Sequence, residues 1–187
     1  MDEIVAKTAG ILRDGGIILY PTDTIWGIGC DATNHSAVQR IYHLKQRSDR
    51  KSMLVLMNET AMLDNYLFKV PEGALDLLRF AEKPTTIIYP GARNFPSNLP
   101  ALDGSIGIRI TSDPFCSRLI KAIDKPLVST SANISGSPSP AIFREIAEQI
   151  KDQVDYVVDW RQHEETPALP STIIKFDQQG EMVVLRP

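Results

Sequence analysis

Apolar positions recur along this chain in two periods, and the alternation between them outlines the fold. Ile4, Val5, Ile11 and Leu12 share one helical face, and Gly15-Gly16 follows as a stop. Ile17 to Tyr20 then reads as a short buried strand closed by Pro21. Ala37, Val38, Ile41, Tyr42 and Leu44 return to helical spacing, with Asn34 or Ser36 available as the cap. Uninterrupted apolar runs predict strands at Met53–Met57, Thr85–Tyr89, Ile106–Ile110, Leu127–Thr130 and Val154–Val158. Helical patterns lie among them around Ala74–Phe80, Pro114–Ile123 and Pro140–Ile150, the last opened by a Ser139-Pro140 cap signal. Ser171–Phe176 and Met182–Arg186, parted by a polar Asp-Gln-Gln-Gly-Glu turn, predict a terminal β-hairpin. Strands and helices alternate without an internal repeat or linker, so the expectation is one α/β domain over residues 1–187, built on a mixed sheet. The Pro/Gly/Asn-rich stretch Pro90–Gly104 is long for a connection, as functional loops often are.

Composition narrows the class. A hydrophobic fraction of 43% and a charged fraction of 23% over 187 residues suit a chain that fills a core, and exclude a disordered segment or a collagen-like repeat. No apolar run approaches the roughly 20 residues of a membrane span, and the start MDEIVAKTAG lacks a secretory pattern. Two distant cysteines, Cys30 and Cys116, make neither a disulfide framework nor a zinc cluster, so a reduced, cytoplasmic setting is expected. The net charge of −3 argues against a surface coated for nucleic acid without excluding a local basic patch.

Three polar clusters exceed what a core needs. Tyr20-Pro-Thr-Asp-Thr-Ile-Trp-Gly-Ile-Gly29 begins where a strand ends, which is where ligands sit on open α/β sheets, although an ordinary hydrogen-bonded turn accounts for it equally. Lys45-Gln-Arg-Ser-Asp-Arg-Lys51 follows a predicted helix. Its cations complement the helix dipole, or form a fork of donors for a polyphosphate. Ser129-Thr-Ser-Ala-Asn-Ile-Ser-Gly-Ser-Pro-Ser139 offers hydroxyls and N–H groups suited to an anion, or is simply a serine-rich loop. His35, His43 and His163 adjoin none of these clusters, and Trp26 and Trp160 read as packing residues. Together the clusters imply a site for an anionic, hydrogen-bonding ligand with no obvious nucleophile, which favours positioning and charge stabilisation over covalent catalysis.

Residues 20–29, Lys45-Gln-Arg47, Ser105-Ile-Gly-Ile-Arg109 and Ser129-Thr-Ser-Ala-Asn-Ile-Ser-Gly136, with Pro-Ser-Thr-Ile-Ile (170–174) and Leu-Arg-Pro (185–187), resemble the Sua5/YciO/YrdC family in order and spacing. The likeness runs from about Ile11 to the C-terminus. It implies a single YrdC-like α/β domain, a twisted mixed sheet flanked by helices with a large concave cavity, in the short form without a further C-terminal domain. It implies synthesis of L-threonylcarbamoyladenylate from L-threonine, bicarbonate and ATP, with Mg²⁺ accompanying the nucleotide and no protein-held metal. That nucleotidyl transfer begins tRNA threonylcarbamoyladenosine formation, and a downstream threonylcarbamoyl transferase would take the product. Carried over by position, Thr24, Arg109, Ser129 and Ser171 would hold threonine. Lys45 and Arg47 would be catalytic at the phosphates. Arg47, Lys51, Ser105, Ser131, Asn133, Ser139 and Arg186 would bind ATP. Ser48 and Ser52 stand where the family usually has proline, and Leu56 where longer members place a threonine-contacting histidine. Those departures leave two alternatives: a YciO-like paralogue with an altered acceptor, and a factor binding double-stranded RNA on the same concave surface.

Overall fold

The computed structural model describes residues 1–46, 52–177 and 179–187. In chain order its elements are α1 (Asp2–Arg13), β1 (Ile18–Tyr20), β2 (Gly27–Gly29), α2 (His35–Leu44), β3 (Leu54–Met57), α3 (Leu63–Tyr66), α4 (Ala74–Phe80), β4 (Thr85–Tyr89), β5 (Ile106–Ile110), α5 (Pro114–Ile123), β6 (Leu127–Ser131), α6 (Glu148–Lys151), β7 (Tyr156–Val157), β8 (Thr172–Phe176) and β9 (Met182–Arg186). The strands form one mixed sheet in the order β7-β1-β2-β6-β3-β5-β4-β8-β9. Parallel pairing joins β1 to β7, β3 to β5 and β4 to β8, and the other neighbours run antiparallel. This is the expected α/β domain with a mixed sheet flanked by helices, and the terminal hairpin is β8–β9.

Strand alternation gives the sheet two unlike faces. Leu19, Ile28, Val55, Met57, Ile87, Tyr89, Ile106, Ile108, Val128 and Ile174 point into the larger core, where Ala37, Val38, Ile41, Tyr42 and Leu44 of α2 meet them. On the opposite face Ile18, Tyr20, Leu56 and Leu127 pack against Val5, Ala9 and Leu12 of α1 and Phe115, Cys116, Leu119 and Ile120 of α5. The helix starts are local chemistry. Asn34 caps α2 by accepting from the Ala37 N–H at 3.0 Å, and Asp113 caps α5 through the Cys116 N–H at 2.8 Å, with Pro114 in the first turn.

Two sequence expectations fail. The pattern over 140–150 is not one helix: Ile142 and Ile146 are extended and buried, a 3₁₀ turn spans Phe143–Glu145, and α6 starts only at Glu148 behind Ala147. Apolar spacing of four there comes from a wrapped segment whose Phe143 ring packs on Trp26 at 4.7 Å, a long-range contact that mimics helical period. Gly27–Gly29, read as turn, is a fully buried strand pairing with both β1 and β6. Among the described residues no helix is long and apolar enough to cross a membrane.

Candidate substrate pocket

The helices α1 and α5 cover only one end of their sheet face. At the other end, alternating strand positions that would face a helix carry polar or small groups instead, and a pocket of about 420 Å³ opens there. Thr86 and Ile88 of β4, Gly107 and Arg109 of β5, Ser129 and Ser131 of β6, and Ile173 of β8 form its floor. Thr24, Trp26, Ser52, Ser105, Ser139, Ser171 and Arg186 complete the walls. Eight residues marked in the sequence therefore converge: Thr24, Ser105, Arg109, Ser129, Ser131, Ser139, Ser171 and Arg186. Ser139 serves the pocket and not the helix start expected of it.

The turn after β1 is locked by its own hydroxyls. Thr22 Oγ1 donates to the Ile25 carbonyl at 2.8 Å and accepts the Thr24 N–H at 3.0 Å, and the Thr24 hydroxyl lies 3.0 Å from it. β2 can follow so closely because it lacks side chains where Tyr20 and β6 approach: a Cβ on Gly29 would lie 2.4 Å from the Val128 carbonyl oxygen and 2.6 Å from the Tyr20 ring.

Two arginines set the electrostatics. Arg109 is 2% exposed and donates through Nη2 to Asp23 Oδ1 at 2.9 Å, while its Nε is buried with no partner among the described residues. Arg186 donates through Nε to the Ser171 carbonyl at 2.9 Å, and Ser171 Oγ lies 2.8 Å from Thr86 Oγ1. Burial first, and then the neighbouring Arg109 charge, lower the Arg186 pKa from its ordinary value. At the rim Asp103 accepts from the Ser105 hydroxyl at 2.5 Å and its N–H at 3.0 Å, and from Lys175 at 3.2 Å; these bonds hold its carboxyl below the usual range, the Ser105 hydroxyl contributing most. Such an array of cations and hydroxyls suits a carboxylate beside a polar ligand.

Lys45 and Asn133 do not line the pocket. Lys45 is 1% exposed, and its ammonium donates to the carbonyls of Ser131 and of Asn133, the latter at 2.5 Å. Its own carbonyl accepts the Ser135 N–H at 2.9 Å, so the end of α2 is stitched to the serine-rich loop. Asn133 Nδ2 donates to the carbonyls of Ile134 and Ser137, leaving Oδ1 buried without a partner among the described residues. Arg47, Ser48 and Lys51 lie outside the described residues. Leu56, at the position where longer members place a threonine-contacting histidine, does not line the pocket; it is fully buried against α1 and α5. Ser52 does line it, donating to the Leu99 carbonyl at 2.9 Å. Sequence reasoning missed Thr86, whose only signal is a hydroxyl inside an apolar strand, and gave no role to Trp26 in the pocket.

The Sua5/YciO/YrdC family, described as telomere recombination, matches residues 10–187. A threonylcarbamoyl-AMP synthase of Pseudoalteromonas translucida is 34% identical over 158 residues, 83% of this chain and 84% of that protein. P. abyssi Sua5 complexed with L-threonine superposes with a TM-score of 0.85 at 26% identity, over 98% of this chain and 53% of Sua5. This chain thus spans about half the length of Sua5. E. coli YciO superposes with a TM-score of 0.84 at 27% identity, over 100% of this chain and 89% of YciO. The chain belongs to the Sua5/YciO/YrdC family.

Proposed function

We propose that this chain is a threonylcarbamoyl-AMP synthase, condensing L-threonine, bicarbonate and ATP into L-threonylcarbamoyladenylate and pyrophosphate, in the cytoplasm and toward tRNA modification. The observation that carries the reading is the buried Arg109 beside Arg186 on a hydroxyl-lined pocket, in a chain 34% identical to a synthase of that name. The pocket volume of about 420 Å³ falls within the roughly 300–1,000 Å³ of small-molecule sites.

In this reading Arg109 takes the threonine carboxylate, and Thr24, Ser129 and Ser171 offer hydroxyls to its amine and side chain. Ser105, Ser131, Ser139 and Arg186 meet the nucleotide. Asn133 and Lys45 serve the phosphate end through the loop they fix, and Arg47 and Lys51 are assigned there from the family likeness alone. Bicarbonate takes up a proton and loses water to give CO₂, whose carbon the neutral threonine amine bonds with loss of a proton, giving a carbamate. A carbamate oxygen then bonds the α-phosphorus as the bond to the leaving pyrophosphate breaks. No protein nucleophile enters that scheme; the side chains orient the reactants and offset developing charge. Mg²⁺ would supply charge neutralisation on the phosphates. In this reading it would arrive carried by the nucleotide.

The test is ATP- and bicarbonate-dependent pyrophosphate release, with and without L-threonine, on the wild type and on Lys45→Ala/Arg47→Ala. Threonine-dependent release that the double substitution abolishes supports the reading; release that ignores threonine sinks it. A second reading, a paralogue using another amine acceptor, is favoured by Ser52 on the pocket wall and by the likeness to YciO over 89% of that chain. Stabilisation by a different amino acid with ATP, and none by threonine, would select it.

A further inference from the structure

Consecutive residues of the turn after β1 have opposite surroundings. Thr24 lines the substrate pocket, whereas Asp23 lines a separate cavity of about 440 Å³ behind it, together with Thr60, Arg79, Lys83 and Ser112. Arg109 lines the first cavity and reaches Asp23 of the second. Its side chain is 3% exposed and that of Asp23 12%, so both charges are largely removed from water. A guanidinium in that position needs a counter-charge, because burying an ion without a partner is strongly unfavourable. Asp23 supplies it through a single contact, Nη2 to Oδ1 at 2.9 Å. The neighbouring Nε, also buried, has no partner among the described residues.

We infer that Asp23 is a positioning residue for the substrate carboxylate: it holds Arg109 from behind, leaving the free part of the guanidinium to the pocket. This rests on the amino-acid reading above. The turn that carries Asp23 is rigid enough for the task. Thr22 ties it internally, and Arg161 Nη1 donates both to the Thr22 carbonyl and to Asp113 Oδ2, each at 3.0 Å. Asp23 also balances charge. Arg109 and Arg186 lie near enough for the first to lower the pKa of the second. One fixed carboxylate on Arg109 offsets part of that repulsion, so that two guanidinium groups can stand on one pocket. A partner behind the cation fixes its direction without occupying the ligand's place, as second partners do for metal-bound side chains.

The experiment measures L-threonine and MgATP binding by calorimetry on the wild type, Asp23→Asn, Asp23→Glu, Arg109→Met and the double variant Asp23→Asn/Arg109→Met. Asp23→Asn is expected to weaken threonine by about tenfold or more while MgATP changes by less than about twofold, and Asp23→Glu to recover threonine binding to within about threefold. In the Arg109→Met background the Asp23 change should add less than about twofold, because its effect runs through Arg109. That comparison stands even if Asp23→Asn alone fails to fold, since the double variant leaves no uncompensated charge. Threonine binding unchanged in folded Asp23→Asn, an equal loss of both ligands, or a further loss in the Arg109→Met background overturns the inference. A ligand-free readout separates it from the substrate reading. The Arg109 Nε–H resonance, identified by its loss in Arg109→Met, should be sharp in the wild type and broadened in Asp23→Asn. If the wild type binds no threonine, the substrate reading fails, and an unbroadened resonance in Asp23→Asn ends the positioning role as well.

Discussion

One face of the sheet serves two ends that share backbone, strands and side-chain parity yet differ in everything else. At one end Leu56 of β3 sits opposite Leu127 of β6, and both are fully buried beneath α1 and α5. One step along the same ladder Leu54 sits opposite Ser129, and both line the pocket. The boundary even divides a single rung: Leu56 pairs with Arg109 of β5, the leucine under the helices and the arginine on the pocket. Alternation therefore tells which residues leave a sheet on one side, and helix coverage decides whether they become core or site. The apolar end can be exchanged for other apolar shapes of like volume, whereas the polar end has to keep charge in place.

Breaking the covered end should cost the most stability. Phe115→Ala removes an aromatic ring that is 1% exposed between α5 and the sheet, and about 3–5 kcal/mol of unfolding free energy should go with it, read from urea denaturation. Ligand affinity of the folded fraction should hold; a matching loss of affinity would mean that the two ends are one unit. Arg186→Met reverses the pattern. Its turnover should drop by about 30- to 1,000-fold in kcat/KM, because a charge contact to ligand is lost, with a much smaller change in the denaturation midpoint. Leu56→His probes the boundary itself. An imidazole there enters the helix-covered cluster and should destabilise by about 1–3 kcal/mol without improving threonine binding. A gain in threonine affinity would move the boundary of the site to include β3 at that position.

The smallest effect belongs to the rim. Because the Asp103 pKa is lowered in the folded protein, the carboxylate adds stability above the unfolded-state value, lost as pH falls through the folded one. Thermal melts of Asp103→Asn and wild type should therefore differ at neutral pH and converge in acid below the usual carboxylate range. A difference that persists at low pH would assign the effect to something other than this ionisation.

Much of this layout was legible beforehand. Apolar runs located every strand but β2, and the polar clusters contained Thr24, Ser129, Ser131 and Ser139, now gathered at one pocket. Ser105, Arg109, Ser171 and Arg186 entered through ordered family motifs, since a lone arginine inside an apolar strand announces no partner by itself. β2 was hidden because Gly-Ile-Gly carries turn composition, and only the approach of Tyr20 and Val128 explains why glycine stands there. Residues 140–150 misled because burial against Trp26 and the core imitated helical spacing.

By itself the sequence determined what depends on near neighbours: strand parity, the cap at Asn34, the alternation of elements, and the family to which their motifs belong. Tertiary structure decided how the charges are used. Asp23 meets Arg109 across 86 positions, and Lys45 meets the Ser131 carbonyl across the same span. A charged side chain is satisfied by whatever the fold brings to it, and local pattern holds no record of that partner. The same lysine, marked in the sequence for phosphate, also holds the loop beside the pocket, and only the fold reveals that contact.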